Sequence, residues 1–185
     1  MLIETCIKNH DLLPILKKVG YNISFLEDNF QYSYKYLRKT IIASNLKEFK
    51  NGIASIKKKR LIFLKPLSKD VLRYGIINSK ISGIIIDDSN FRILKKTSLN
   101  LLRQHNKFVE IPLPSSSSYL IYKIIPLAYK WFNVVFSSYS QDINEIWTPI
   151  SKLNYLVIHG ADEEEALRWI YDNPLKLLIH ASNNY

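Results

Sequence analysis

The stretch that most constrains the fold spans residues 61–87, LIFLKPLSKDVLRYGIINSKISGIIID, and reads as one complete strand, helix, strand unit. Residues 61–65 and 81–86 are short apolar runs, the pattern of strands buried on both faces in a parallel sheet. Between them Pro66 stops the first strand, Ser68 is placed to cap a helix, and Val71, Leu72 and Ile76 give that helix an inward face. Parallel neighbours require such a crossover. A chain built by repeating this unit forms an α/β sheet whose functional groups collect at the C-terminal ends of its strands.

The unit does repeat. Further strands are predicted at residues 2–7, 23–26, 40–43, 108–111 and 134–136, which makes seven in all. Asp11 is placed to cap a first helix, with Pro14 in its opening turn and Gly20 just past its end, and a Tyr-rich turn occupies residues 30–37. Asn45 opens a helix with Leu46, Phe49, Ile53 and Ile56 on one face and Lys47, Lys50, Lys57 and Lys58 on the rest. Asn90 is expected to cap another, with Phe91, Leu94 and Leu101 inward, and a helix over 119–131 should kink near Pro126. The tail reads as helices over 149–158 and from Asp162, the second carrying Glu163, Glu164 and Glu165 in its first turn and ending at Asn173 and Pro174. Residues 155–159 read as helix rather than as an eighth strand. The expectation is one domain over residues 1–185, a small, distorted TIM-like (β/α) barrel with about seven recognisable strands and a helical C-terminus.

Charge narrows the partners. The net charge is +10, and residues 35–73 alone hold twelve basic residues against two acids, so that window carries the whole surplus. A localised excess of this kind is the footprint of a polyanion site, since each Lys or Arg on a phosphate releases counterions. Its candidates for RNA contact are Lys47, Lys50, Lys57, Lys58, Lys59, Arg60, Lys65 and Arg73. A solvated basic helix face is the plainer reading of the same residues. With one cysteine, Cys6, there is no internal disulfide and no multi-cysteine zinc site, and no stretch reads as a leader or a membrane span, which points to a cytoplasmic protein.

Strand ends offer Lys8, Glu27, Asp28, Lys65, Asp87, Asp88, Ser137 and Ser138. The four histidines, His10, His105, His159 and His180, fall in helices or junctions without His-x-His or His-Glu-x-x-His spacing, which argues against a hydrolytic zinc site. Cys6 lies mid-strand and reads as a buried, inert thiol. The five glycines are isolated, so there is no phosphate loop, and Ser137-Ser138 lacks the flanking glycines of a nucleophile elbow. Neither a catalytic residue nor a metal ligand is expected. The competing possibilities are a degenerate metal-dependent phosphoesterase using Glu27, Asp28, Asp87 and Asp88, and a structural barrel whose charge is incidental.

Several segments, in order, resemble a known family. They are Arg73-Tyr-Gly-Ile-Ile-Asn-Ser-Lys-Ile-Ser-Gly-Ile-Ile-Ile-Asp87, Phe108-Val-Glu-Ile111 with its Pro-Ser end, and Val134-Val-Phe-Ser-Ser138. The tail adds Gly160-Ala-Asp-Glu-Glu-Glu-Ala-Leu-Arg168 and Asn173-Pro-Leu-Lys-Leu-Leu178. Together they are similar to protein component 3 of ribonuclease P, the barrel subunit of the archaeal enzyme with a eukaryotic counterpart. No single motif is specific; the ordered set over residues 61–178 is. The resemblance implies a TIM-like barrel that assists a catalytic RNA in removing the 5′ leader of precursor tRNA. The partners it implies are the ribonuclease P RNA, precursor tRNA, component 2 in a two-plus-two assembly, and further protein subunits. Magnesium would serve the RNA, and this chain would bind no cofactor.

Within that family Arg73 matches a basic position, Glu110 a strand acid, and Ser137 and Ser138 a Ser-Ser turn. Where related metal-dependent phosphoesterase barrels carry Asp-x-His-x-His, this chain has Glu4-Thr-Cys6-Ile-Lys8. It also departs from the family, with Tyr139 after the Ser-Ser pair and Trp147-Thr148-Pro149-Ile150 where a basic stretch is usual.

Overall fold

Every predicted apolar run becomes a strand, and each strand is parallel to its neighbours. In the computed structural model, residues 1–27, 34–56 and 60–183 are described, with side chains as far as residue 180. The strands are β1 (Ile3–Ile7), β2 (Ile23–Glu27), β3 (Leu37–Ala43), β4 (Leu61–Pro66), β5 (Gly83–Ile85), β6 (Phe108–Pro112) and β7 (Asn133–Ser137). They are hydrogen-bonded in sequence order, with all six pairings parallel. The helices are α1 (Leu13–Lys18), α2 (Leu46–Ala54), α3 (Lys69–Ile77), α4 (Lys96–Gln104), α5 (Ser118–Trp131), α6 (Pro149–Ile158), α7 (Glu163–Leu167) and α8 (Asn173–Asn183).

Two apolar layers hold the barrel. The outer one packs Ile41 and Ala43 of β3, Ile62 and Leu64 of β4, and Ile84 of β5 against α2 to α6 through Phe49, Val71, Ile76, Leu102, Ile124 and Leu156. The inner one fills the lower barrel with Ile3, Phe25, Leu61, Phe63, Ile85, Phe108 and Val135. Helix starts follow the predicted chemistry where the cap side chain is free to act. Asn45 caps α2 and Ser68 caps α3 as expected, and the structure adds Ser117 as the cap of α5 and Thr148 as that of α6.

Two caps differ from expectation. Asn9, not Asp11, accepts the first free N–H, and a short 3-10 turn precedes α1. Asn90 caps nothing, because its side chain is engaged elsewhere: Nδ2 donates to the carbonyls of Pro66 (3.0 Å) and Ile85 (2.9 Å), and Oδ1 accepts from Asp87 N (2.9 Å). It stitches the ends of β4 and β5 together, and α4 begins only at Lys96, burying Leu99 and Leu102 instead of Leu101. Asn173 and Pro174 do not end the last helix either. A π turn at Arg168–Asp172 lets Asn173 N reach Arg168 O, and the missing N–H of Pro174 falls in the first turn of α8, where none is needed.

No eighth strand exists among the described residues; residues 155–158 lie in α6. The seam between β1 and β7 is instead closed in two ways. Above, the chain after β7 continues alongside β1, Tyr139 N donating to Cys6 O (3.0 Å) and Lys8 N to Ser140 O (2.9 Å). There the buried Glu4 carboxylate accepts from Ser138 N (3.0 Å), Ser138 Oγ (2.6 Å) and Lys152 Nζ (2.7 Å). Below, α8 takes the place of a strand: Leu177 is fully buried with Ile3, Phe25 and Val135, and Asn173 Nδ2 donates to Val134 O (2.7 Å).

Candidate nucleic-acid interface

The basic residues singled out above do not form one surface. Lys47 and Lys50 are exposed on α2 and Arg73 on α3, while Arg60 is half-buried just before β4. Lys57, Lys58 and Lys59 lie outside the described residues, as does Asp28. Lys65 reaches the strand ends already paired with Asp87 through its Nζ, and its side chain is only 23% exposed. What does come together is the outer face of three successive helices, α2 packed on α3 and α3 on α4. It gathers Lys47 and Lys50, then Lys69 and Arg73, then Lys95 and Lys96 at the start of α4, with Arg92 beside them, all exposed. Lys95 and Lys96 escape a charge count because Asp87 and Asp88 lie nearby in sequence and cancel them; in space those acids are engaged elsewhere.

That engagement is the second feature of the site. At the strand ends each described acid already has partners. Burial alone would push the Asp87 carboxyl up, but hydrogen bonds from Lys65 and Ser89 and the Lys65 charge outweigh it and its pKa is lowered. Asp88 accepts from Ser117 N and Oγ, both at 2.8 Å. Glu27 accepts from Thr40 N (2.6 Å) and Oγ1 (2.8 Å). Among the described residues no three His, Cys, Asp or Glu side chains converge.

Inside the barrel sits one of the twelve basic residues counted in the 35–73 window. Arg38 on β3 is fully buried, its guanidinium paired with both oxygens of the equally buried Glu110 on β6 (2.6 and 2.7 Å), with Nη1 also donating to Thr5 O (2.7 Å). Its Nε lies 3.3 Å from Glu27, and its flat face stacks on the Phe63 ring at 4.0 Å. Gly83 makes room for that ring, since an added Cβ there would overlap it. Tyr139, held in the left-handed backbone region at φ 53°, brings its hydroxyl to 3.3 Å from Arg38 Nη2, and Lys8 lies over the outer side of its ring. Burial pushes the Glu110 carboxyl up and Arg38 pulls it back, while the surrounding acids hold Arg38 firmly as a cation. Ser137 and Ser138 are both fully buried, and Ser138 is tied to Glu4. Cys6 is buried as expected, and burial raises its thiol pKa.

A period-two signal for Arg38 was present. Ile41 and Ala43 face the helices, so Arg38 and Thr40 must face the barrel centre, where a cation needs an acid.

No protein-family model and no curated protein matches the sequence. Among solved structures, the chain is similar to one in the cryo-EM structure of archaeal ribonuclease P with mature tRNA, with a TM-score of 0.80. The match covers 98% of this chain and 91% of that one. The two share one fold. Their sequences are 15% identical, so the likeness is one of architecture, and in this chain that architecture is a TIM-like barrel of seven parallel strands followed by a helical C-terminus. Among the described residues no helix is long and apolar enough to cross a membrane.

Proposed function

We propose that this chain is a protein subunit of ribonuclease P, the ribonucleoprotein endonuclease that removes the 5′ leader of precursor tRNA. The observation that carries the reading is the barrel it shares, almost end to end, with a chain of the archaeal enzyme. The row of exposed cations on α2, α3 and α4 supplies the charge that a phosphate-rich partner needs. On this reading the RNA, with magnesium, performs the hydrolysis in the cytoplasm, and this chain contributes no catalytic group and holds no cofactor. It binds the ribonuclease P RNA and precursor tRNA through Lys47, Lys50, Arg60 and Arg73 and the adjoining Lys57, Lys58 and Lys59. Component 2, the other protein partner, would meet the segment of residues 108–185, which holds five basic residues against eight acids. There Tyr119 and Tyr122 on α5 and Ile150 and Ile158 on α6 stand between 61% and 80% exposed, the residue types that protein interfaces bury.

The test is reconstitution at fixed low magnesium, where protein charge must replace metal screening of phosphates. This chain and component 2 are titrated separately and together into the RNA-only cleavage reaction. Strong stimulation by the mixture and weak stimulation by this chain alone is the expected result. Full stimulation by this chain alone, or no complex on sizing chromatography, would overturn the partnership; no stimulation in any combination would overturn the subunit reading. Stoichiometric metal in the purified chain, with cleavage lost on Asp87→Asn, would instead support a metal-dependent phosphoesterase.

A further inference from the structure

We propose that the groove between α3 and α4 holds a single unstacked nucleotide of single-stranded RNA, with its phosphate on Lys69, Arg73 and Lys95 and its base against Ile93 and Leu101. The proposal rests on the subunit reading above and names the site through which it would act.

The groove has a volume of about 480 Å³, within the range of pockets that hold small organic ligands and too confined for a duplex. Its walls bring three cations against one acid, Asp70, so the local charge is net positive. The side chains of Lys69, Arg73 and Lys95 make no ion pair, hydrogen bond or ring contact among the described residues. The side chains of Thr97, Ser98 and Asn100, which line the same groove, likewise donate to nothing in the chain. This contrasts with the strand ends, where Lys65, Asp87, Asp88, Glu27 and Arg38 are all engaged. A concavity whose polar groups are all idle is equipped for an external partner; the barrel mouth is not.

Two further points select the occupant. Ile93 and Leu101 are half-buried in the groove and offer an apolar surface beside the cations, the combination that an extruded base with its phosphate satisfies and a duplex backbone does not. Exposed cations also continue on either side of the groove, Lys47 and Lys50 on α2 and Arg92 and Lys96 by α4. A free mononucleotide would leave that track unused, whereas a strand threaded through the groove would lay its neighbouring phosphates along it. The first turn of α4 lacks a capping side chain, and its free N–H groups add partial positive charge at the groove's end.

The experiment uses the full chain and a short oligouridine. Its affinity is followed by fluorescence anisotropy over a salt series, and a 4-thiouridine version is photo-crosslinked and the attachment site located by mass spectrometry. In wild type the crosslink should fall in residues 91–101. The K69Q/R73Q/K95Q variant, altered only at exposed positions, should lose that crosslink and bind at least about tenfold more weakly at low salt. Its slope of log affinity against log salt should flatten by about two units, three lost contacts at about 0.7 each. An unchanged slope with crosslinks elsewhere would overturn the groove while leaving the subunit reading intact. Equal affinity for a blunt RNA duplex, or full displacement by inorganic polyphosphate or poly-glutamate at equal charge, would overturn the nucleotide pocket. Absence of RNA binding by the wild type, alone and in the reconstituted complex, would overturn both.

Discussion

Replacing Arg38 by Met is the sharpest probe of the barrel interior. The substitution keeps the length of the aliphatic stem and removes the guanidinium from between Glu110, Glu27, Thr5 O and the Phe63 ring. Both members of the main pair are fully buried, so no water replaces the lost charge, and breaking such a pair costs about 3–5 kcal/mol. At about 2–4 °C per kcal/mol for a domain of this size, thermal unfolding should shift down by roughly 6–20 °C. The assay is urea unfolding by circular dichroism, with Glu110→Leu and the double variant completing the cycle. Removing both charges should recover at least about 2 kcal/mol relative to the sum of the single losses; full recovery is not expected, because Thr5 O still loses a donor and Glu27 a neighbouring cation. Acid provides the second arm. Without Arg38, burial holds the Glu110 carboxyl above its unfolded value, so the folded variant takes up the proton first and gains stability as pH falls. Its deficit should therefore shrink as pH falls towards the unfolded carboxyl value of about 4.3. A deficit under about 1 kcal/mol, independent of pH and additive with Glu110→Leu, would refute the account of Arg38 as the barrel's internal cation.

Three further outcomes follow from neighbouring geometry. Gly83→Ala should cost about 1–3 kcal/mol in the same assay, because the new methyl displaces the Phe63 ring on which Arg38 rests; a neutral effect would show that the ring has room to move. Asp87 has a lowered pKa, so its pairing with Lys65 stabilises the fold fully above the unfolded carboxyl value of about 3.9 and is lost as pH falls through the folded one. Asp87→Asn should thus lower stability at neutral pH and flatten the loss below about pH 4, and an unaltered acid limb would contradict this. Lys152→Met leaves Glu4 with Ser138 as its donor at the seam, and amide exchange should accelerate at Lys8 and Tyr139 while the β3–β4 ladder stays protected; uniform acceleration would mean that the seam is not a separate unit.

What the sequence disclosed and what it withheld divide along physical lines. The central strands were visible because a strand buried on two faces must be apolar at consecutive positions, as residues 83–85 and 134–136 are, whereas only residues 40–43 of the partly exposed β3 were. Helix starts were visible where Asn45 or Ser68 had no other task, and misleading at Asn90, whose amide is committed to strands remote in sequence. The continuation past Pro174 was hidden because proline is a stop signal only when its missing N–H falls inside a regular helix, and a π turn shifts it to a first turn. Charge counting saw the right half of the chain but mixed three situations: Arg38 inside the barrel, Lys65 paired at its mouth, and Lys47, Lys50, Lys69 and Arg73 free on the helices. Lys95 was missed outright, since only the packing of α3 on α4 brings it beside Arg73.

The placement of charge explains why the outer helix layer, not the barrel mouth, is the surface left for a partner. A (β/α) barrel ordinarily exposes unpaired polar groups at its strand ends, and that is what lets the architecture host chemistry there. Here Arg38 neutralises Glu110 and approaches Glu27, Lys65 holds Asp87, Lys152 holds Glu4, and Tyr139 covers the centre under Lys8. Each of these pairs would have to be broken before a substrate could use either member, at a cost of several kcal/mol apiece for the buried ones. The cations of α2, α3 and α4 carry no such cost, because they are solvated and unpaired. An anionic strand gains their attraction by displacing counterions alone, so binding phosphate on that face is electrostatically downhill.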